Sequence, residues 1–233
     1  MPLNPPNRPS GDALPETGET GDTVRSLSRA AAIKDGYTTG ARTLASRSVI
    51  GLTRTRLTPN ALTAGGIILC GAASILVLFE DRNEILFYWL AAVVFVLGSL
   101  LDILDGALAR AGGKTTPFGA FIDSTTDRVS EGFMLTAIAY VLAANHHPVF
   151  VAVAMAAMLG SFLVSYTRAK AETLGLRGDV GISSRAERVV IISAGLILAP
   201  WGVLPWAIYV LAASAWVTVL QRVLFVRKQL RER

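Results

Sequence analysis

From residue 60 onward the chain alternates long apolar runs with short polar breaks. Six runs predict six helices, each near the ~20 residues that cross a ~30 Å hydrocarbon core. They extend from Asn60 to Phe79, Leu86 to Ala111, Phe118 to Ala143, Pro148 to Ala171, Ser184 to just before Pro200, and Val203 to Phe225. The pattern therefore predicts an all-α integral membrane protein with six transmembrane helices. Ahead of it, residues 1–37 are rich in Pro, Gly, Thr, Glu and Asp and lack apolar periodicity, which predicts a disordered cytoplasmic tail. Residues 38–56 mix Arg and Thr with Leu, Val and Ile. They read either as a juxtamembrane amphipathic helix or as a solvated linker. The helical domain is expected over 57–226, with a basic cytoplasmic tail at 227–233.

Composition agrees with this pattern. The chain is 52% hydrophobic with a mean hydropathy of +0.49, too apolar for a soluble domain of this size. A formal charge of +5 does not require nucleic acid, because Lys and Arg gather on the cytoplasmic side of membrane proteins. Arg42, Arg47, Arg54 and Arg56 precede the first helix, and Arg110 and Lys114 follow the second. Arg168, Lys170, Arg177, Arg185 and Arg188 lie around the fourth loop, and Arg222, Arg227, Lys228, Arg231 and Arg233 lie at the end of the chain. The opposite breaks hold one Arg, Arg82, among Glu80, Asp81 and Glu84. Both termini are therefore expected in the cytoplasm, in a multi-pass protein of the plasma membrane. The single cysteine, Cys70, lies in an apolar run and reads as a small buried hydrophobe. The first apolar run starts too far from residue 1 for a cleaved secretory signal.

Four carboxylates disturb this apolar background: Asp102 and Asp105 late in the second helix, Asp123 and Asp127 early in the third. Unpaired near a bilayer centre, four Asp would cost roughly 10–14 kcal/mol on insertion scales. Two nearby arginines, Arg110 and Arg128, do not balance four acids. At about 100° per residue, Asp102, Asp105, Gly106, Ala109 and Arg110 share an arc of about 140°, and Gly119, Asp123 and Asp127 one of about 80°. Two antiparallel neighbours could face these arcs at each other around divalent ions. Oxygen-only ligands suit hard cations such as Mg²⁺ or Mn²⁺, and a metal pair can clamp both oxygens of a phosphoryl displacement. Small side chains at Gly106, Ala109 and Gly119 would admit a bulky phosphate-bearing ligand or close helix packing. A cation-coupled transporter is the rival reading, since intramembrane acids also mark ion paths.

The run Asp102-x2-Asp105-Gly106-x2-Ala109-Arg110-x8-Gly119-x3-Asp123-x3-Asp127, eight fixed residues over 26 positions, resembles the signature of the CDP-alcohol phosphotransferases. These enzymes join a CDP-linked lipid to an alcohol and release CMP. The resemblance implies that Asp102, Asp105 and Asp123 hold one Mg²⁺, and that Asp102, Asp123 and Asp127 hold or flank a second. It implies that Asp127 is the general base toward the acceptor hydroxyl. Thr58-Pro59-Asn60 on its own reads as a helix start. The resemblance adds that Asn60, Ala61, Leu62 and Thr63, with Gly106, Arg110 and Thr116, contact CDP-diacylglycerol. A homodimer is common among such enzymes and is expected here.

The acceptor side is carried by the charged stretch from Ser165 to Arg188 and by Arg222. Positive-inside placement alone accounts for Arg177, Arg185, Arg227, Lys228, Arg231 and Arg233. Arg188 and Arg222 lie within apolar sequence and require an anion, either the aspartates or a phosphate on the acceptor. The run Gly175-Leu176-Arg177-Gly178-Asp179, followed by Glu187-Arg188, looks like the actinobacterial phosphatidylinositol phosphate synthases. Their acceptor is 1D-myo-inositol 3-phosphate (inositol 1-phosphate). This implies that Ser165, Arg168, Arg188 and Arg222 bind the acceptor phosphate. The chain departs from that pattern in having Arg168 and Lys170 where Lys and Arg are expected in turn, and the two differ in donor geometry. A phosphatidylglycerophosphate synthase using glycerol 3-phosphate stays open, because its acceptor also carries a phosphate.

Overall fold

The computed structural model describes residues 59–111 and 115–232. The expectations for 1–37 and 38–56, and for the side chains of Asn60 and Arg110, lie outside the described residues. Six α-helices follow in order: α1 Pro59–Val77, α2 Glu84–Ala111, α3 Pro117–Ala144, α4 Pro148–Thr173, α5 Arg185–Ile197 and α6 Leu204–Arg231. Short 3₁₀ turns, Glu80–Arg82 and Ala199–Trp201, lead out of α1 and α5. The described residues hold no strand. Proline sits in the first turn of α3, α4 and α6, where its fixed φ starts a helix and its missing N–H costs nothing.

Each predicted helix is present, but the last runs on past its expected end at Phe225 to Arg231, so most of the expected basic tail is helical. α2, α4 and α6 are long and apolar enough to cross a membrane. α3 has 28 residues but carries Asp123, Asp127, Arg128 and Glu131. α5 has only 13 residues, about 20 Å of helix. Large apolar side chains stay exposed on the outside, among them Ile68, Leu97, Leu100, Val210 and Leu224. So much uncovered apolar surface fits lipid rather than water, and the protein is a membrane protein.

Phe95, Met134, Leu135, Ile138, Ile192, Leu196, Ile208 and Leu211 fill the centre. α1 packs on both α2 and α3, α4 on α3 and α6, and α5 on α2 and α6. The α1–α2 crossing is close because of Gly98. A Cβ there would meet Cys70 Sγ at 2.8 Å and the Gly66 carbonyl at 2.9 Å, and small residues permit such approaches. Cys70 is buried, as expected.

The two ends of the helices are closed differently. At one end Glu80 accepts from Tyr88 Oη and from Asn145 Nδ2, both at 2.7 Å. There Trp89 Nε1 donates to the Ile197 carbonyl at 3.0 Å. At the other end the loop between α4 and α5 is fastened along α6. Thr218 Oγ1 accepts from Ile182 N and Ser183 N, at 3.2 and 2.9 Å. Gln229 exchanges two hydrogen bonds with the Arg177 backbone, at 3.0 and 2.8 Å. Gly181 makes this possible: its φ is +129° and a Cβ would lie 2.2 Å from Thr218 Cγ2, so only glycine fits without strain.

Candidate functional site

The sequence suggested that α2 and α3 are close neighbours with their acidic arcs face to face. The structure corrects the packing but keeps the convergence. α1 lies against both helices, while α2 and α3 make little contact with each other. Their acidic ends meet across the gap. One carboxylate oxygen from each of Asp102, Asp123 and Asp127 lies within 4.8 Å of the others. Asp102 is buried, and Asp123 and Asp127 are half-buried.

Asp105 stands outside this trio. It is buried at 3% exposure and accepts a hydrogen bond from Thr63 Oγ1 on α1. Asp102 and Asp105 are three residues apart, so both point off one face of α2, yet α1 holds the second while α3 approaches the first. Thr63 thus reaches the acidic face. Leu62 turns the other way and packs on Leu108 in a small apolar cluster. Thr116 caps α3, its Oγ1 accepting from Gly119 N at 3.0 Å.

The cation in the trio is one that positive-inside placement alone seemed to explain. Arg185, the first residue of α5, projects its Nη1 between Asp102 Oδ2 and Asp127 Oδ1, the latter at 2.6 Å. Both oxygens are buried. The signal for Arg185 was present in its position three residues before Arg188, one face along the same helix.

Arg188 and Arg222 are buried, and their partners correct the sequence argument. Arg188 pairs with Glu131 in a fork, Nε to Oε1 at 2.6 Å and Nη2 to Oε2 at 3.0 Å. A third donor, Nη1, reaches the Ser183 carbonyl at 3.3 Å. Three of its five N–H groups are therefore engaged within the protein. Glu131 was not singled out from the sequence, although Asp123, Asp127 and Glu131 follow one another at four-residue steps along α3. Arg222 is held by two carbonyls, Val180 (2.7 Å) and Val164. Two of its five N–H groups are thereby engaged, because a guanidinium can direct its donors at backbone oxygen as well as at carboxylate.

Arg168 is exposed and bonds Glu172 at 2.9 Å. Ser165 lines a cleft of about 630 Å³ between α3 and α4, together with Ser124, Thr125, Arg128, Phe162 and Tyr166. The three arginines proposed to share a phosphate with Ser165 do not line that cleft. The void beside the acidic trio is far smaller, about 10 Å³, and touches Ser99, Asp127, Ser130, Glu131 and Arg185. It joins the trio to the Glu131–Arg188 pair.

The arrangement of acids, spacing and membrane helices matches known proteins. The model of the CDP-alcohol phosphatidyltransferase family covers residues 56–220, and the chain belongs to that family of enzymes. A phosphatidylinositol phosphate synthase of Mycolicibacterium smegmatis is 40% identical over 181 residues, 75% of this chain and 79% of that protein. An archaetidylinositol phosphate synthase of Pyrococcus horikoshii is 37% identical over 175 residues, 75% of this chain and 86% of its own. Among solved structures, phosphatidylinositol phosphate synthase of Mycobacterium tuberculosis with CDP-DAG bound superposes with a TM-score of 0.68 at 31% identity, over 79% of this chain and 94% of that one. The same protein in complex with manganese and citrate gives 0.69 at 32% identity, over 78% and 88%.

Proposed function

We propose that the chain transfers the phosphatidyl group of CDP-diacylglycerol to 1D-myo-inositol 3-phosphate, forming phosphatidylinositol phosphate and releasing CMP, in phospholipid biosynthesis. The observation that carries this reading is the convergence of Asp102, Asp123 and Asp127 within 4.8 Å in a chain of this family. The acceptor is favoured by the names of these two relatives: both contain inositol phosphate, while their lipid parts differ.

The residues suit divalent ions. The donors are all oxygen, which hard cations such as Mg²⁺ and Mn²⁺ prefer. Two buried carboxylate oxygens have no hydrogen bond, and a cationic group already lies between them. Asp102, Asp123 and Asp127 would hold one ion, and Asp105 would complete a second with Asp102 and Asp123. When bound, such ions offset the charge of the diphosphate and lower the pKa of a bound hydroxyl. Asp127 is assigned the general-base role on the resemblance to the family signature; its Oδ1 is the oxygen that Arg185 meets at 2.6 Å. The acceptor hydroxyl oxygen attacks the lipid-side phosphorus, its proton passes to Asp127, and the bond to CMP breaks.

Asn60, Ala61, Leu62, Thr63, Gly106, Arg110 and Thr116 are assigned to CDP-diacylglycerol. Ser165, Arg168, Arg188 and Arg222 are assigned to the acceptor phosphate, Arg188 through the two N–H groups that Glu131 and Ser183 leave over. All six helices are read as crossing the plasma membrane, the acidic end and both termini facing the cytoplasm, in a homodimer. A panel of acceptors with CDP-diacylglycerol in detergent tests the substrate: CMP release is expected with inositol phosphate. Release with glycerol 3-phosphate alone would instead establish a phosphatidylglycerophosphate synthase.

A further inference from the structure

Arg185 occupies a position that local preferences oppose. It opens α5, where the helix dipole presents its positive end and disfavours a cation. The helix start is already provided for: Ser184 N donates to Glu187 Oε2 at 2.9 Å. Nothing local requires an arginine here, so its placement is explained by what it reaches.

The two arginines of this helix face different neighbours. Arg188, three residues on, meets both oxygens of one carboxylate with two nitrogens, the fork geometry that Arg prefers. Arg185 pairs with two carboxylates, Asp102 on α2 and Asp127 on α3. Its charge thus lies between acids of two helices, where a metal ion held by the same acids would also lie. The side chain is 27% exposed, so it is not locked into the core. The adjoining void holds only about 10 Å³, too little for a guanidinium to retreat inward, so any exit is toward the solvent side.

We propose that Arg185 is an exchangeable counter-cation. It holds Asp102 and Asp127 together and is displaced when a divalent ion takes the same oxygens, so that it lowers metal affinity and sets the concentration at which the site fills. The charges make the exchange favourable: Arg185 brings one positive charge to Asp102 and Asp127, and a divalent ion brings two. This inference rests on the reading of the trio as a metal site.

The test is Mn²⁺ binding to the full chain in detergent, stripped with EDTA and followed by the EPR signal of free Mn²⁺. Arg185→Gln is expected to bind Mn²⁺ about tenfold more tightly than the wild type, a coupling of about 1.4 kcal/mol. Arg185→Lys keeps a cation and is expected within about threefold of wild type. The stripped Arg185→Gln protein is expected to melt below stripped wild type, and Mn²⁺ to raise its melting temperature by more. Equal or weaker Mn²⁺ binding by Arg185→Gln overturns the proposal while leaving the metal reading intact. If Arg185→Gln does not fold, a tenfold gain in Arg185→Lys overturns it. Absence of Mn²⁺ binding in the wild type overturns the metal reading, and this inference with it.

Discussion

Two buried charge clusters lie side by side in this protein, joined by one small void, and they are built on opposite principles. In the Glu131–Arg188 pair each carboxylate oxygen has its own nitrogen, and the arginine uses a third donor on a backbone carbonyl. In the Asp102–Asp123–Asp127 trio one arginine lies against two of the three acids, Asp102 and Asp127, and one oxygen of each goes without a hydrogen bond. A saturated pair holds helices in place. An unsaturated cluster raises the energy of the resting protein and lowers it when a ligand of the right charge arrives. On the proposed reading the trio is the site of chemistry, and the Glu131–Arg188 pair lies beside it.

The comparison is broken most severely at Asp127. Asp127→Asn is expected to lower CMP release by about 10²–10⁴-fold, the usual worth of a general base. Its melting temperature should not fall, because an acid has been removed from an acid-rich cluster. Turnover near the wild-type rate would remove Asp127 from the base role.

The supporting pair should respond in the opposite sense. Glu131→Gln leaves Arg188 buried with no anion, and breaking such a pair costs about 3–5 kcal/mol. Thermal unfolding in detergent should show a large loss, and Glu131→Gln with Arg188→Met should recover much of it. A stable single variant would mean that Arg188 finds another anion, as its assigned role toward a phosphate would allow once substrate is present.

The exposed Arg177–Asp179 pair (3.1 Å) is the control with the smallest effect. Arg177 holds the Asp179 carboxyl below the usual carboxylate range through its hydrogen bond. A depressed acid contributes stability above its unfolded pKa and loses it as pH falls through the folded value. Arg177→Ala is therefore expected to leave the melting temperature unchanged at neutral pH within error, since exposed pairs are screened. Any small difference should vanish in acid. A clear loss at neutral pH would assign Arg177 a role beyond the surface.

Much of the fold was legible because its causes are local. Apolar runs near the length of a bilayer, ended by Pro, Gly and charged residues, predicted all six helices, although the last continues beyond its apolar run to Arg231. The positions of Asp102, Asp105, Asp123 and Asp127 on two helix faces followed from 3.6-residue periodicity alone. What was not legible depends on which helices touch. Sequence order suggested that α2 and α3 pack together, whereas α1 intervenes beside both and claims Asp105 through Thr63. Arg185 looked like one more cytoplasmic arginine, and Glu131 like an ordinary acid.

The sequence by itself determined the kind of chemistry: a membrane chain carrying four acids at the spacing of CDP-alcohol phosphotransferases. Periodicity within a helix is a short-range property, and residue spacing encodes it directly. Only the tertiary structure decided how the charges are shared. It set Asp102, Asp123 and Asp127 against Arg185, gave Asp105 to Thr63, and gave Arg188 to Glu131 across 57 residues of chain. Those pairings depend on how helices distant in sequence pack against one another. A buried charge takes whichever partner that packing brings within a few ångströms.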